Sequence, residues 1–157
     1  MLKKGLALIV ALALVLSFAG CLKSKSAYTD LAADESGNVS INTGEVGETP
    51  SFYNYDSNGT VVQLLALKTS GGELRIAFNT CQSCSPSPKA YYVWEDGKLI
   101  CQNCGFDFAP EQVGIAADGC SPTPVEQMQQ QGDNIIIPAS YLDSMADRFS
   151  SLGGPTK

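Results

Sequence analysis

The residues best suited to chemistry are five cysteines in the central and later part of the chain. They form two pairs with two residues inside each pair, sixteen residues between the pairs, and a fifth cysteine sixteen positions further on: Cys81, Cys84, Cys101, Cys104 and Cys120. Two thiolates separated by two residues in a tight turn can point at one ion, and two such turns supply a tetrahedron. The first four cysteines therefore predict a metal site, and Gly105 after Cys104 suits a turn with positive φ.

The same cysteines are compatible with other chemistry. Exported proteins meet oxidising conditions, so disulfides are the main alternative, although five cysteines would leave one thiol over. Zinc and iron–sulfur centres both accept four thiolates, and the spacing does not separate them. Cys120 is interpreted as a fifth ligand, a replacement for one of the four or a redox thiol. A thiol oxidoreductase is disfavoured, because a redox C-x2-C needs a helix start that stabilises a thiolate, and Pro86 and Pro88 after Cys81 and Cys84 do not suggest a long helix.

Composition excludes several classes of function. The chain of 157 residues contains no histidine, which rules out Ser-His-Asp triads, Cys-His dyads and histidine-ligated haem. Its net charge of −6 disfavours nucleic acid as a partner, because an acidic surface repels phosphate. Asp107, Glu111 and Asp118 flank the second cysteine pair but are interpreted as solvated charges or caps. No clear acid–base pair is left.

The first residues have the pattern of a lipoprotein signal peptide. Lys3 and Lys4 precede an uncharged, largely apolar run over residues 5–19, and small residues then lead to Cys21. We predict a signal peptide over residues 1–20, a lipid on Cys21 and a flexible tether over 21–37. The alternative is an uncleaved membrane anchor, for which the apolar run is short. The predicted location is the cell envelope, with the lipid-anchored protein facing the periplasm or the outside.

The elements that must position the cysteines are predicted to be strands. Apolar residues that alternate or run between turn signals predict strands near Val39–Ile41, Val61–Leu67, Leu74–Phe78, Tyr91–Glu95, Lys98–Cys101 and Ile135–Ile137. Turns are expected at residues 56–59, 70–72 and 96–97. The pattern therefore predicts a mainly β domain over residues 38–150, a small β-meander in which two cysteine knuckles form a ribbon-like metal site.

The C-terminal part is predicted to contain one short helix. It would open near Ala139, turn Tyr141, Leu142, Met145 and Phe149 toward the core, and stop at residues 153–155. Residues 151–157 are expected to form a disordered tail.

Residues 38–137 resemble the FtrD-like family, described as membrane iron–sulfur-containing proteins. The resemblance rests on the strand that ends at Cys81, on Cys101-Gln-Asn-Cys104-Gly105 and on Gly119-Cys120 with Pro122 after it. It implies that Cys81, Cys84, Cys101, Cys104 and Cys120 are the functional set. It also implies an iron–sulfur cluster or iron as cofactor, and an iron permease or redox partner in the envelope. Two departures are Asn79, where the family more often has aspartate, and a lipid-attachment motif in place of a helical membrane bundle.

These observations lead to one main functional hypothesis and two alternatives. The main hypothesis is an exported lipoprotein that binds a metal or iron–sulfur centre and serves electron transfer or metal handling in envelope iron uptake. The alternatives are a structural zinc- or disulfide-stabilised binding module and a thiol oxidoreductase. An enzyme is the less favoured class, with electron carriage the exception.

Overall fold

The structure, a computed structural model of the chain, describes residues 28–115 and 119–154. Its strands are β1 Tyr28–Leu31, β2 Asn38–Asn42, β3 Ser51–Ser57, β4 Thr60–Lys68, β5 Leu74–Cys81, β6 Tyr92–Glu95, β7 Lys98–Cys101, β8 Asp107–Phe108, β9 Pro122–Pro124, β10 Gln129–Gln131 and β11 Asn134–Pro138. The described helical segments are α1 Ala139–Ser144 and three 3-10 turns at Thr43–Glu45, Pro110–Gln112 and Ala146–Phe149. The prediction of a mainly β domain with one short C-terminal helix is confirmed.

A five-stranded sheet in the order β1-β3-β4-β5-β9 forms the centre of the domain. Its middle contains two of the predicted strands, β4 and β5: β3, β4 and β5 pair antiparallel, with turns at residues 58–59 and 69–73. The sequence pattern missed the two edge strands, since β1 joins in parallel with β3 and β9 is a Pro-Thr-Pro segment beside β5. Both β5 and β9 lead directly into the cysteine region.

The central sheet is covered on both faces, which explains the long apolar run in β4. Val62, Leu64 and Ala66 face one core, which they share with β2, β11 and the C-terminal helical segments. Leu65 and Leu67 face a second core that contains Cys81 and Cys101. A strand buried on both faces shows continuous rather than alternating hydrophobicity. The second core is therefore the platform on which the cysteine site is built.

A row of polar side chains crosses the buried sheet in register. Asp30, Asn54, Gln63 and Asn79 lie side by side on β1, β3, β4 and β5. Each joins the next: Asn54 Nδ2 donates to Asp30 at 3.3 Å, Gln63 Nε2 donates to Asn54 at 3.3 Å, and Asn79 Nδ2 donates to Gln63 at 3.2 Å. The bonds offset the cost of burying amides. Asn79 Oδ1 also accepts a hydrogen bond from the backbone N–H of Tyr92 at 3.0 Å, so the row fixes β6 against the sheet.

The predicted helix forms, but it is shorter than expected. The α-helix ends at Ser144, because Met145 adopts φ −94° and ψ −4° and its N–H bonds Leu142 O at 3.0 Å, which tightens the last turn. The 3-10 turn Ala146–Phe149 continues in its place and ends before the predicted stop. The apolar residues still face the core as predicted, with Tyr141, Leu142 and Phe149 buried and Met145 packed against them.

The folded domain extends beyond both predicted boundaries. The sequence places residues 28–37 in the tether, but in the structure Tyr28 is buried. The centroid of its ring lies 5.2 Å from the ring centroid of Phe52. Residues 151–154 were assigned to the disordered tail, yet Leu152 packs against both cores and Gly153 N–H bonds Pro88 O at 2.7 Å. These tertiary contacts leave no periodic pattern in so short a segment. The predicted signal peptide, Cys21, residues 22–27 and residues 155–157 lie outside the described residues.

No helix within residues 28–115 and 119–154 is long and apolar enough to cross a membrane.

Candidate metal centre

The first cysteine pair lies in a turn at the end of β5. Cys81 is the last residue of the strand and is fully buried, whereas Cys84 is partly exposed. Ser85 N–H bonds Cys81 O at 3.0 Å, and Cys81 N–H bonds Ala90 O at 2.8 Å. The turn therefore reverses the chain while both thiols stay on its inner side. It is not a helix start, so the structure lacks the feature that a redox C-x2-C needs.

The second pair lies at the end of β7, after the hairpin whose turn is at residues 96–97. Gly105 N–H bonds Cys101 O at 2.9 Å, and Gly105 has the φ of +75° that the sequence predicted. Burial raises the pKa of Cys101 and the backbone N–H groups of Cys104 and Asn103 oppose that rise, whereas the N–H of Phe106 helps to lower the pKa of Cys104. Backbone donors aimed at sulfur stabilise thiolates, as they do in metal knuckles.

Cys120 is carried by a third segment that is bound tightly to the first turn. Ser83 Oγ donates to Gly119 O at 2.5 Å, and Gln82 Nε2 donates to Ser121 Oγ at 2.9 Å. Beyond the cysteine, β9 pairs with β5 and sets Pro122 opposite Cys81. The position of Cys120 is thus fixed by tertiary contacts and not by its own sequence motif.

Tyr92 and Asn103 complete the frame around the thiols. The hydroxyl of Tyr92 donates to the backbone oxygen of Cys120. The Tyr92 ring packs edge-on against the ring of Phe108, with 5.9 Å between the ring centroids. Burial and the neighbouring Cys81 thiol raise the pKa of Tyr92 far above its usual value, so the hydroxyl keeps its proton. Ser87 Oγ donates to Asn103 Oδ1 at 2.7 Å and joins the two knuckles.

Four thiols meet between these three segments. The sulfurs of Cys81, Cys84, Cys104 and Cys120 all lie within 4.8 Å of one another. The grouping differs from the tetrahedron that the spacing predicted, because Cys120 belongs to it and Cys101 does not. Cys101 lies beside the group: it is 1% exposed, and its thiol helps to lower the pKa of Cys104.

The thiols differ in how readily they ionise. Burial raises the pKa of Cys104, but the Phe106 N–H and the thiols of Cys101, Cys120 and Cys84 outweigh it and lower that pKa to about 7. The hydrogen bond to Cys104 and then burial raise the pKa of Cys120 to about 12. Burial is the main cause that raises the pKa values of Cys101 and Cys84. Without a cation, the Phe106 N–H and the neighbouring thiols therefore favour the ionised form of Cys104.

The donor set fits a soft metal ion. The edge of a tetrahedron of thiolates around an ion such as zinc is about 3.8 Å, given metal–sulfur bonds of about 2.3 Å. Sulfurs already within 4.8 Å of one another need small shifts to reach it. Four thiolates without oxygen or nitrogen donors suit zinc or iron, and not magnesium or calcium. The four clustered cysteines could thus hold a metal.

The nearby carboxylates serve other purposes. Asp107 pairs with Lys98 at the surface, and this partner lowers its pKa. Glu111 accepts from Ser70 Oγ at 3.4 Å. Asp118 lies outside the described residues. The two described carboxylates bind surface partners and do not form an acid–base pair at the thiols.

Sequence reasoning missed the positioning residues. The sequence indicates Asn79 only as a departure from the family pattern and Tyr92 only as part of a strand, and it does not predict their bonds around the site. One signal was present for Asn79: it is two residues before Cys81, so it shares the face of β5 that carries the buried thiol. No local signal connected Ser83 or Gln82 with the Cys120 segment.

Comparison with known proteins identifies a family for this chain. Searches of curated proteins and of solved structures returned no match. The model of the family described as "Membrane iron-sulfur containing protein FtrD-like" matches residues 47–149, which contain all five cysteines of the site region. The match covers most of the chain, as the sequence motifs indicated. The chain belongs to the FtrD-like family of membrane iron–sulfur-containing proteins.

Proposed function

We propose that this protein is a lipid-anchored electron carrier of the cell envelope, which holds iron through its clustered cysteines and serves iron uptake. The observation that carries the proposal is the convergence of four thiols from three chain segments to within 4.8 Å. The family description supports iron as the metal. The thiols of Cys81, Cys84, Cys104 and Cys120 would hold it.

The arrangement supports electron transfer better than catalysis. Four protein ligands complete a tetrahedral shell, whereas catalytic sites keep a position open for water or substrate. Iron held by the four thiolates would supply one-electron chemistry, with a donor protein giving the electron and an acceptor protein taking it. The chain's own contribution is to exclude water on the side of Cys81 and to leave Cys84, Cys104 and Cys120 partly exposed. An electron would enter or leave on that exposed side.

Attachment to the membrane is proposed from the leader. The basic residues, the apolar run and the small residues before Cys21 support cleavage and lipidation at that cysteine. A lipid anchor would hold the acidic domain beside integral envelope proteins. An iron permease or a redox protein that feeds one would be the partner.

A structural zinc site is the second candidate, because four thiolates with no open position are also the usual structural zinc shell. In that case the metal would stabilise a binding module and would carry no electron. A disulfide-stabilised module and a thiol oxidoreductase remain the further alternatives.

The test is the metal content and absorption spectrum of the full chain, isolated anaerobically from membranes. We expect iron, with sulfur-to-iron absorption bands that bleach on reduction and return on oxidation. The Cys104→Ser variant should lose these bands, whereas Ser70→Ala, a surface serine variant, should keep them. A colourless protein with stoichiometric zinc would establish the second candidate instead. A metal-free protein with paired cysteines would exclude both.

A further inference from the structure

We infer that the centre holds a single metal ion bound by Cys81, Cys84, Cys104 and Cys120, not a cluster with inorganic sulfide, and that Cys101 is a positioning residue outside the ligand set. The inference rests on the proposed function, because it specifies the site proposed there. In this chain, the sulfur named in the family description would then come from the cysteines alone.

The four sulfurs lie closer together than the ligands of a cluster would. In clusters of two or four irons the four thiolates are shared among different irons, and inorganic sulfide fills the space between those irons. Thiolates on different irons must therefore lie farther apart than two ligands of one ion. Here no pair among the four exceeds 4.8 Å, against the edge of about 3.8 Å for a mononuclear tetrahedron. The group matches one ion and leaves no room for bridging sulfides.

The contacts around the four thiols resist expansion of the group. Cys81 is fully buried at the end of a central strand, so it cannot retreat without disrupting the sheet. The Cys120 segment is bound to the first turn through Ser83 and to β6 through the Tyr92 hydroxyl. The two knuckles are joined by Ser87 and Asn103. Opening the group to admit a cluster would break these bonds together.

Among the described site cysteines, Cys101 is the one whose sulfur lies outside the group of four mutually close sulfurs. It is 1% exposed and is packed in the second core. It belongs to the same knuckle as Cys104, whose sulfur is in the group. A thiol in this position orients a ligand and screens it from water, as outer partners of metal ligands do.

The test compares iron and acid-labile sulfide in the anaerobically isolated full chain. One iron per chain without labile sulfide is expected, and adding sulfide during reconstitution should not raise the iron content. One zinc per chain would sustain the single-ion inference while overturning the iron carrier. Two or four irons with equal labile sulfide would overturn this inference and leave the proposed iron function standing. A chain that binds no metal at all would overturn both.

Cobalt(II) titration of the metal-free chain tests the ligand set without relying on activity. We expect an end point of one cobalt per chain with the spectrum of a tetrahedral all-thiolate site. Cys101→Ser should keep that stoichiometry and the full sulfur-to-cobalt intensity, even if its melting temperature falls. Cys120→Ser should lose about a quarter of the intensity, or bind at least tenfold more weakly, because one of four thiolates is gone. The reverse pattern, with Cys101→Ser impaired and Cys120→Ser intact, would overturn the assignment.

Discussion

Replacing Tyr92 with phenylalanine removes one oxygen atom from the centre of the frame and leaves the buried ring in place. The hydroxyl donates to the backbone oxygen of Cys120, and the ring keeps its edge contact with Phe108. In the metal-free chain the Cys120 oxygen would retain its contact with the thiol of Cys81 at 3.5 Å. The free energy of unfolding should therefore fall by about the net value of one buried hydrogen bond, about 1 kcal/mol. The fall should be at most about 3 kcal/mol if the Cys120 oxygen is left without a good partner.

The same bond holds Cys120 where an ion would need it. If the loss of that bond weakens metal binding by about 1 kcal/mol, the metal dissociation constant becomes roughly five-fold larger. The assay is denaturant unfolding of the full chain with and without metal, together with a competition titration of metal affinity. Tyr91→Phe is the matched control, because the described residues offer its hydroxyl no hydrogen bond. Unchanged unfolding and unchanged metal affinity in Tyr92→Phe would refute the role given to the hydroxyl.

Three further predictions test other parts of the account. In Gly114→Ala the new Cβ would lie 2.5 Å from the backbone oxygen of Ile76 at a φ of +68°, so thermal unfolding should show a loss of about 2 kcal/mol or more, and an unchanged melting temperature would contradict the close approach. In the metal-free chain Cys104, with its pKa lowered to about 7, should be alkylated first, at a rate that rises with pH through that value; peptide mapping that finds another described cysteine first would contradict this order. Cys21→Ala should leave an uncleaved precursor without acyl label, and normal lipid labelling would contradict the predicted anchor.

The local parts of this fold were predictable from the sequence. The hairpins form where Asn58-Gly59 and Asp96-Gly97 allow a two-residue reversal, with positive φ at each of these positions. Each turn lies between apolar runs, so the positions of β4 and β7 followed from short-range chemistry. The knuckle at Cys101 and Cys104 was predictable for the same reason, with Gly105 as its signal.

The composition of the thiol group was not predictable, because it depends on contacts between distant segments. Counting spacings favours Cys101 over Cys120, since Cys101 completes a regular pair. In the structure β9 pairs with β5 and brings Cys120 beside Cys81, and the group of mutually close sulfurs contains Cys120 and not Cys101. A three-residue Pro-Thr-Pro edge strand has no sequence signature, and Pro is itself disfavoured in strands.

The polar row shows a second limit of pattern analysis. Asn54, Gln63 and Asn79 are polar residues inside buried strands, and each taken alone would count against burial. Only the register of four strands makes them partners and lets them support Tyr92. Sequence alone does not give that register, because it depends on which strands become neighbours.

The central claim is that the clustered thiols bind one metal ion, and X-ray absorption at the metal edge tests it most directly. For the anaerobically isolated full chain we predict four sulfur neighbours at about 2.3 Å from iron, with no second metal nearby. Nitrogen or oxygen neighbours, or a short metal–metal distance, would contradict the claim.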